Sequence, residues 1–521
     1  MSQPIREIII VGGGTAGWIT AGTIAAKLNR AHHNPPRITL VESPNVPIIG
    51  VGEGTWPTMR RSLQAMGVNE TEFIRQCNVS FKQGAKFCGW VTGAVDDGYY
   101  HPLVLPKDFE QTNLAEHWLS LQAMHNKVPD FANSVCSQGA LCEHGLAPKL
   151  ISTPEYDSVA NYAYHLDAGK FSKFLQHHCV EQLNVQHIYA DVEVVDSHLN
   201  GDIKSLTTKK GQTIEGDFFI DCTGFKSLLI GEHFKIPFKS CQDILFNDKA
   251  IAVQVPYPDK NSPIASHTIS TAQTSGWIWD IGLANRRGVG HVYASDYISD
   301  VQAHQQLLDY LNLTEAQAAD LTFRPITFKP GHRQKFWHKN CVAVGLSAGF
   351  LEPLEASALL LVEISASFIA QQLPAVKEPM DVIANRFNRL FLYRWQSIID
   401  FLKLHYLLSK RRDSQYWIDN QNPKFIPDSL QQMLSLWRYQ SPWHEDFPYA
   451  QEVFPAASYQ YVLYGMGFHT QANPSGLSLH SQQQALQWMQ KNAMETKQLV
   501  AQMPSNRTLL NAIAQQQLAK I

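Results

Sequence analysis

The stretch Glu7-Ile8-Ile9-Ile10-Val11-Gly12-Gly13-Gly14-Thr15-Ala16-Gly17 decides the fold. Glu7 to Val11 is a short β-branched run and reads as a buried parallel strand. Gly12, Gly13 and Gly14 break it, and a helix with small residues near its start runs from Thr15 to about Leu28. A second apolar strand follows from Arg37 to Glu42. Strand, glycine turn, helix and strand form a βαβ unit with a right-handed crossover. The glycines spell G-x-G-x-x-G where a pyrophosphate site needs it, after a strand and at a helix start. Gly12 permits the tight turn, Gly14 lets the backbone approach a phosphate, and Gly17 allows close helix–strand packing. Thr15 and Ala16 open the helix, whose N-terminus receives negative charge. Glu42, ending the second strand, is placed to accept hydrogen bonds from an adenosine ribose. The unit binds a dinucleotide.

Outward from this unit the chain is long. Its 521 residues suggest two to four domains or one large α/β enzyme. With 44% hydrophobic and 17% charged residues it is a packed globular chain, not a disordered one. A net charge of −3 without a basic block argues against nucleic acid. The eight cysteines lack any C-x-x-C and read as reduced core thiols. No signal-peptide core precedes the first strand, and the longest apolar run, Ala356 to Ala370, is interrupted by Glu363 and too short to span a bilayer. A cytoplasmic protein without membrane contact is expected.

Thr58 onward and Glu70 to Gln76 read as helices, and Ala85 to Thr92 as a strand. From Gly93 to about Ser152 turn residues dominate, so loops and short helices are expected. Asn200-Gly201 and Lys210-Gly211 are hairpin signals between Val192 and Asp221. Ile251 to Val255 and Gly290 to Ala294 read as strands of a second sheet. Cys341 to Gly345 is another buried strand, and a long helix begins near Ala356. Beyond Met380 the pattern is helical, opening with a helix near Ala384 to Tyr406. Residues 1–380 are expected to hold a dinucleotide module interwoven with a second sheet. Residues 381–521 would be a mainly helical part covering the substrate.

Two further segments favour FAD over NAD. Asp221-Cys222-Thr223-Gly224 closes a strand far downstream, as in many FAD oxidoreductases. Gly345 with Ser347-Ala348-Gly349 ends another strand, a suitable place for backbone N–H groups near a flavin or an anion. No second G-x-G-x-x-G is present for NADH. His165-Leu166-Asp167 is an H-x-D, the start of a non-haem iron triad, but no second His can be placed and a structural reading is preferred. No metal site is expected.

With these segments in view, the chain resembles the flavin-dependent tryptophan halogenases over most of its length. Gly12 to Trp18 matches their nucleotide motif, and Ile49-Gly50-Val51-Gly52-Glu53 the end of their flavin strap. Gly276-Trp277-Ile278-Trp279-Asp280-Ile281 matches their G-W-x-W-x-I-P signature up to the last position, where Gly282 replaces Pro. Phe350-Leu351-Glu352-Pro353-Leu354-Glu355 matches their F-L-E-P-L-E segment.

The resemblance implies an α/β fold of the FAD-binding monooxygenase type. A Rossmann-type parallel sheet would be joined by a second, mostly antiparallel sheet and a helical C-terminal part. It implies FADH2- and O2-dependent halogenation of an electron-rich aromatic, tryptophan or another indole, with chloride or bromide. FAD would be contacted also by Gly50, Val51, Gly52, Glu53, Gly345 and Leu351. Hypohalous acid would reach a lysine, hydrogen-bonded or as a haloamine, and Arg suits neither role as well. The family's Asn-x-x-Phe-Lys pattern selects Lys82, and Lys86 is the competitor from spacing alone. Glu355 would orient that lysine or take the ring proton. Halide would lie on the N–H groups of Ser357 and Ala358, although Ala356-Ser357-Ala358 replaces the usual Ser-Thr-Gly. His101 would stack on the indole, Leu103 stands where a Phe is usual, and Phe454 represents the closing aromatics loosely. Trp277 and Trp279 would keep substrate from flavin. A separate flavin reductase is needed, and a homodimer is left open. The alternatives are a flavin monooxygenase hydroxylating an aromatic and, further off, a non-catalytic flavin-binding protein.

Overall fold

The computed structural model describes residues 4–31, 33–46, 52–124, 128–471 and 477–520, so Gly50 and Val51 lie outside the described residues. The chain divides into two units built from alternating segments. Met1–Val79, Leu166–Cys241 and Lys329–Trp395 form the first, and Ser80–His165, Gln242–Phe328 and Gln396–Ile521 the second.

In the first unit the strand Glu7–Val11 lies inside a six-stranded sheet. The order is Trp337–His338, Cys341–Ala343, Phe218–Asp221, Glu7–Val11, Arg37–Glu42 and Gln186–Tyr189. All pairings are parallel except that of Trp337–His338 with Cys341–Ala343. Ile8, Ile9 and Ile10 are almost wholly buried, which explains a run without polar alternation. The following helix, Thr15–Ala31, packs against Ala168–Leu183 and Ser357–Gln372. The two predicted hairpin turns join Val192–Ser197, Ile203–Thr208 and Thr213–Glu215 into a small antiparallel sheet.

The second unit is built on a seven-stranded sheet. Its order is Arg324–Thr327, Lys249–Pro256, Arg286–Tyr293, Gly276–Gly282, Thr268–Gln273, Gly84–Cys88 and Gly98–Pro102. Only Thr268–Gln273 with Gly84–Cys88 is parallel. Two of these strands correspond to the expected Ile251–Val255 and Gly290–Ala294. The halogenase-like Trp segment forms the strand Gly276–Gly282, buried at every position, so no period of two betrays it. Gly98–Pro102 falls in the stretch read as loops and short helices. Its turn-forming ends, Gly98 and Pro102, conceal a strand that closes the sheet edge. The rest of that stretch does form the helices Leu114–Met124, Phe131–Val135 and Gln138–Glu143.

Beyond Met380 the chain is helical, led by Met380–Leu407. The whole is a mixed α/β fold with a parallel sheet, antiparallel sheets and a helical C-terminal region. Among the described residues no helix is long and apolar enough to cross a membrane. All eight cysteines are free, seven of them buried.

Candidate functional site

The first unit holds the glycine turn expected to cradle a dinucleotide. Gly12 has φ +116, and a Cβ there would stand 2.1 Å from the Cys222 carbonyl oxygen. A Cβ on Gly17 would stand 1.9 Å from the Gly12 oxygen, so the helix can start against the turn only with Gly at both places. Around Gly14 a Cβ would meet nothing within 4 Å, the open space that a diphosphate needs. Gly13, the variable position of the motif, carries its own constraint. The Glu42 side chain lies across it, with Cδ 2.1 Å from where a Cβ would be. Glu42 Oε2 is 2.9 Å from Nε2 of His187, a residue that pattern reading passed over. The ring of His187 stands edge-on to Trp18 at 5.0 Å.

The strand end Asp221 adjoins the same turn. Buried Asp221 accepts hydrogen bonds from Thr223 N and Oγ1 and from Leu229 N and Ile230 N, at 2.6–3.0 Å. Burial nonetheless raises its pKa above the ordinary carboxylate value, against these hydrogen bonds. Gly345, with φ +74, is brought against the helix start, where its Cβ would lie 2.8 Å from the Ala16 Cβ. Ser347 Oγ donates to the Asp221 carbonyl, which ties that segment to the Asp221 turn. Leu351 is buried beyond it. Gly52 and Glu53 lie on the strand Gly52–Gly54, and desolvation pushes the Glu53 carboxyl up to about 7.

Glu355 is buried, and its backbone carbonyl accepts from Trp56 Nε1 at 2.9 Å. Ala356 follows in the left-handed region, φ 53 and ψ 35, and is the cap residue of the helix Ser357–Gln372. A methyl side chain cannot cap, so Ala356 itself accepts nothing from the first turn of this helix. The Ser357 and Ala358 N–H groups belong to that turn, where α-helical N–H groups lack partners within their own helix. Ser357 is buried and Ala358 exposed. The departure from Ser-Thr-Gly therefore keeps the backbone N–H groups of the helix start, at the cost of a strained residue before them. Ala356→Gly is expected to raise the thermal midpoint, gaining about 1 kcal/mol from relief of the left-handed conformation. An unchanged or lower midpoint would contradict the strain.

The second unit holds the lysine and the aromatics. Lys82 ends the strand Ser80–Lys82 and is only 4% exposed. Lys86 differs. Its Nζ lies 2.7 Å from Glu143 Oε2 in a partly exposed ion pair and 5.3 Å from the Tyr100 ring centre. Asn506 Nδ2 donates to the Phe81 carbonyl at 3.1 Å and holds the strand that carries Lys82.

His101 is buried on Gly98–Pro102, its Nε2 3.0 Å from Ser458 Oγ. Its ring is 5.7 Å from Phe401, and Phe454 stacks on Phe401 at 3.9 Å. His101 and Phe454 thus share one aromatic neighbour, which no sequence motif marks. Half-buried Leu103 is fixed through its backbone, N to Gln138 Oε1 at 2.7 Å and O from Asn161 Nδ2 at 2.5 Å. Trp277 and Trp279 are buried, edge to face at 6.4 Å. The Trp279 ring crosses Gly290, where a Cβ would fall 2.1 Å from Cζ2. The unusual Gly282 also has a local cause: a side chain there would press on Ile264 and the Tyr257 hydroxyl at about 3 Å.

The tryptophan halogenase family profile matches residues 7–481. Tryptophan 6-halogenase ThaL of Streptomyces albogriseolus is 32% identical over 451 residues, 84% of this chain and 83% of the relative. The crystal structure of a tryptophan halogenase from Shewanella frigidimarina superposes with a TM-score of 0.96 at 50% identity, covering 99% of both chains. Tar14, a tryptophan C-6 flavin-dependent halogenase (chlorinase) of taromycin biosynthesis, gives 0.88 at 31% identity, over 98% of this chain and all of that one. With matching motifs, fold and near full-length likeness, this chain belongs to the flavin-dependent tryptophan halogenase family.

Proposed function

We propose that the protein uses reduced FAD, O2 and chloride or bromide to halogenate an electron-rich aromatic, an indole such as tryptophan, at a carbon facing Lys82. The single observation that carries this reading is the burial of Lys82, at 4% exposure, in the family's lysine position. An ammonium is seldom removed from water in a fold without a task, because desolvation disfavours its charge.

The cradle fits FAD. Gly12, Gly14, Thr15, Ala16 and Gly17 would receive the diphosphate, and Glu42, steadied by His187, the ribose. Gly52, Glu53, Gly345 and Leu351 would line the ring system. Bound and reduced, FAD with O2 supplies the two-electron oxidising power that turns halide into hypohalous acid. The Ser357 and Ala358 N–H groups would hold the halide. Lys82 would hold the oxidised halogen, by hydrogen bond or as a haloamine. As the O–X bond of hypohalous acid or the N–X bond of the haloamine breaks, the halogen would add to the ring carbon, hydroxide or the lysine amine would leave and pick up a proton, and Glu355 would take the proton the ring gives up. His101, Leu103 and Phe454 would line the pocket, with Trp277 and Trp279 keeping the aromatic from the flavin. Reduced flavin would come from a separate reductase.

The test supplies a flavin reductase, FAD, NADH and bromide or chloride with a panel of indoles. Product isotope patterns are read by mass spectrometry. Mono-halogenated indoles are expected. Oxygenated products formed without halide would instead indicate a hydroxylase, and no turnover of any aromatic a binding protein.

A further inference from the structure

His165-Leu166-Asp167 is a motif with catalytic residue types that the proposed function does not use. Asp167 is occupied elsewhere: it caps the helix Ala168–Leu183, its Oδ1 accepting from Lys170 N at 3.0 Å. His165 has a different setting. Ser80–Lys82 pairs antiparallel with the strand that carries it, with Ser80 opposite His165 and Lys82 opposite Ala163. Directly opposed residues share a face, and so do residues two apart on a strand. Ser80, Lys82 and His165 therefore lie on one face, and His165 is the diagonal neighbour of Lys82.

The ring is fully buried, and its Nε2 stands 2.8 Å from Thr268 Oγ1. The groups bearing on it can be named. Lys82 faces it from the partner strand, and buried His267 from the chain just before Thr268. The Gly282 carbonyl, which also accepts from Ser80 Oγ at 2.5 Å, faces it from the end of the Trp-bearing strand. Burial first, then the charges of Lys82 and His267, hold the imidazole well below the ordinary His range, and Gly282 opposes them weakly. His267 is itself pushed down to about 4 by burial and by Lys86, with Glu143 opposing. A second cation beside the Lys82 ammonium in a dry interior would make one of the two give up its proton.

We propose that His165 is the positioning residue of Lys82: a ring anchored on Thr268 and set diagonally across the strand pair, where it fixes the reach of the lysine. The proposal rests on Lys82 as the halogen-bearing lysine. A polar neutral group at 165 meets the requirement, and an apolar ring does not, because it loses the Thr268 anchor.

The experiment measures halogenation by the full-length enzyme with its reductase, for His165→Gln, His165→Phe and Thr268→Val. His165→Phe is expected to lower kcat by about 100-fold, the scale of an ångström's misplacement, with substrate KM and flavin affinity little changed. His165→Gln should restore kcat to within a few-fold of wild type. Should His165→Phe not fold, Thr268→Val reports on the same anchor and should show the same loss in kcat without loss in KM. Wild-type enzyme labelled at the histidine Cε1 should show a His165 resonance that does not titrate between pH 5 and 8. A folded His165→Phe enzyme or a Thr268→Val enzyme with wild-type kcat would overturn the proposal. So would His165→Gln as inactive as His165→Phe, or a ring that protonates in that range. Lys82→Met separates the two readings. If it still halogenates, the role of Lys82 fails. If it is inactive while His165→Phe is unimpaired, only the positioning role fails.

Discussion

Lys82→Ala is expected to lower halogenation by at least about 1,000-fold while flavin affinity stays at the wild-type value. The size follows from the role. The lysine is the group proposed to carry the oxidised halogen to the ring, so its removal would leave free hypohalous acid and no directed transfer. Because Lys82 is buried, truncation also opens a cavity, and Lys82→Met keeps the stem while removing the amine. Both variants should lose activity alike. Lys82→Arg separates the two forms of delivery: residual activity would favour a hydrogen-bonding cation, and complete loss a haloamine. Lys86→Ala is the control. Its ion pair with Glu143 has side chains 28% and 57% exposed, and such pairs contribute less than about 1 kcal/mol. Halogenation should survive its loss. A Lys82→Ala enzyme working at the wild-type rate, or collapse of the Lys86→Ala enzyme, would reverse the assignment.

What was legible in the sequence was whatever is local. The strand Glu7–Val11, the glycine turn and Glu42 sit within one βαβ unit, and each glycine has a backbone reason to be there that a motif can express. Lys82 was singled out only through the family pattern, since spacing alone offers Lys86 four positions on, which the structure places in a partly exposed ion pair. The supports of the site were not legible. Ser458 is 357 residues from His101, and Thr268 is 103 from His165. These are ordinary residue types joined by sheet register and helix docking, which no spacing announces. Gly276–Gly282 shows a different limit. Its signature was plain, but a strand buried on both faces has no alternation to reveal it as a strand.

Glu363 shows how a residue visible only as a flaw in a pattern becomes a prediction. In the sequence it interrupts the longest apolar run. In the structure it is buried on the helix Ser357–Gln372 and accepts from Thr58 Oγ1 at 3.1 Å and Ser62 Oγ at 2.5 Å. Both donors lie on the helix Thr58–Met66, so the carboxyl joins two helices of the first unit. Desolvation raises its pKa from the ordinary 4.5 to about 7, outweighing the hydroxyl donors and Arg61. The sign follows. A carboxyl whose folded pKa lies above its unfolded value costs nothing below pH 4.5, where both states are protonated. Stability then falls as pH rises towards 7, and above that the cost is constant, at about 3 kcal/mol for a shift of this size. Gln keeps an acceptor for one hydroxyl and a donor for the other without the ionisation. Glu363→Gln is therefore expected to stabilise the protein by up to about 3 kcal/mol at pH 8, and by roughly half as much at pH 5.5. Thermal or denaturant midpoints of both proteins across that range measure the difference. A gain independent of pH would mean that packing, not ionisation, separates Gln from Glu, and a loss at pH 8 would mean that the two hydroxyls require the charged carboxylate.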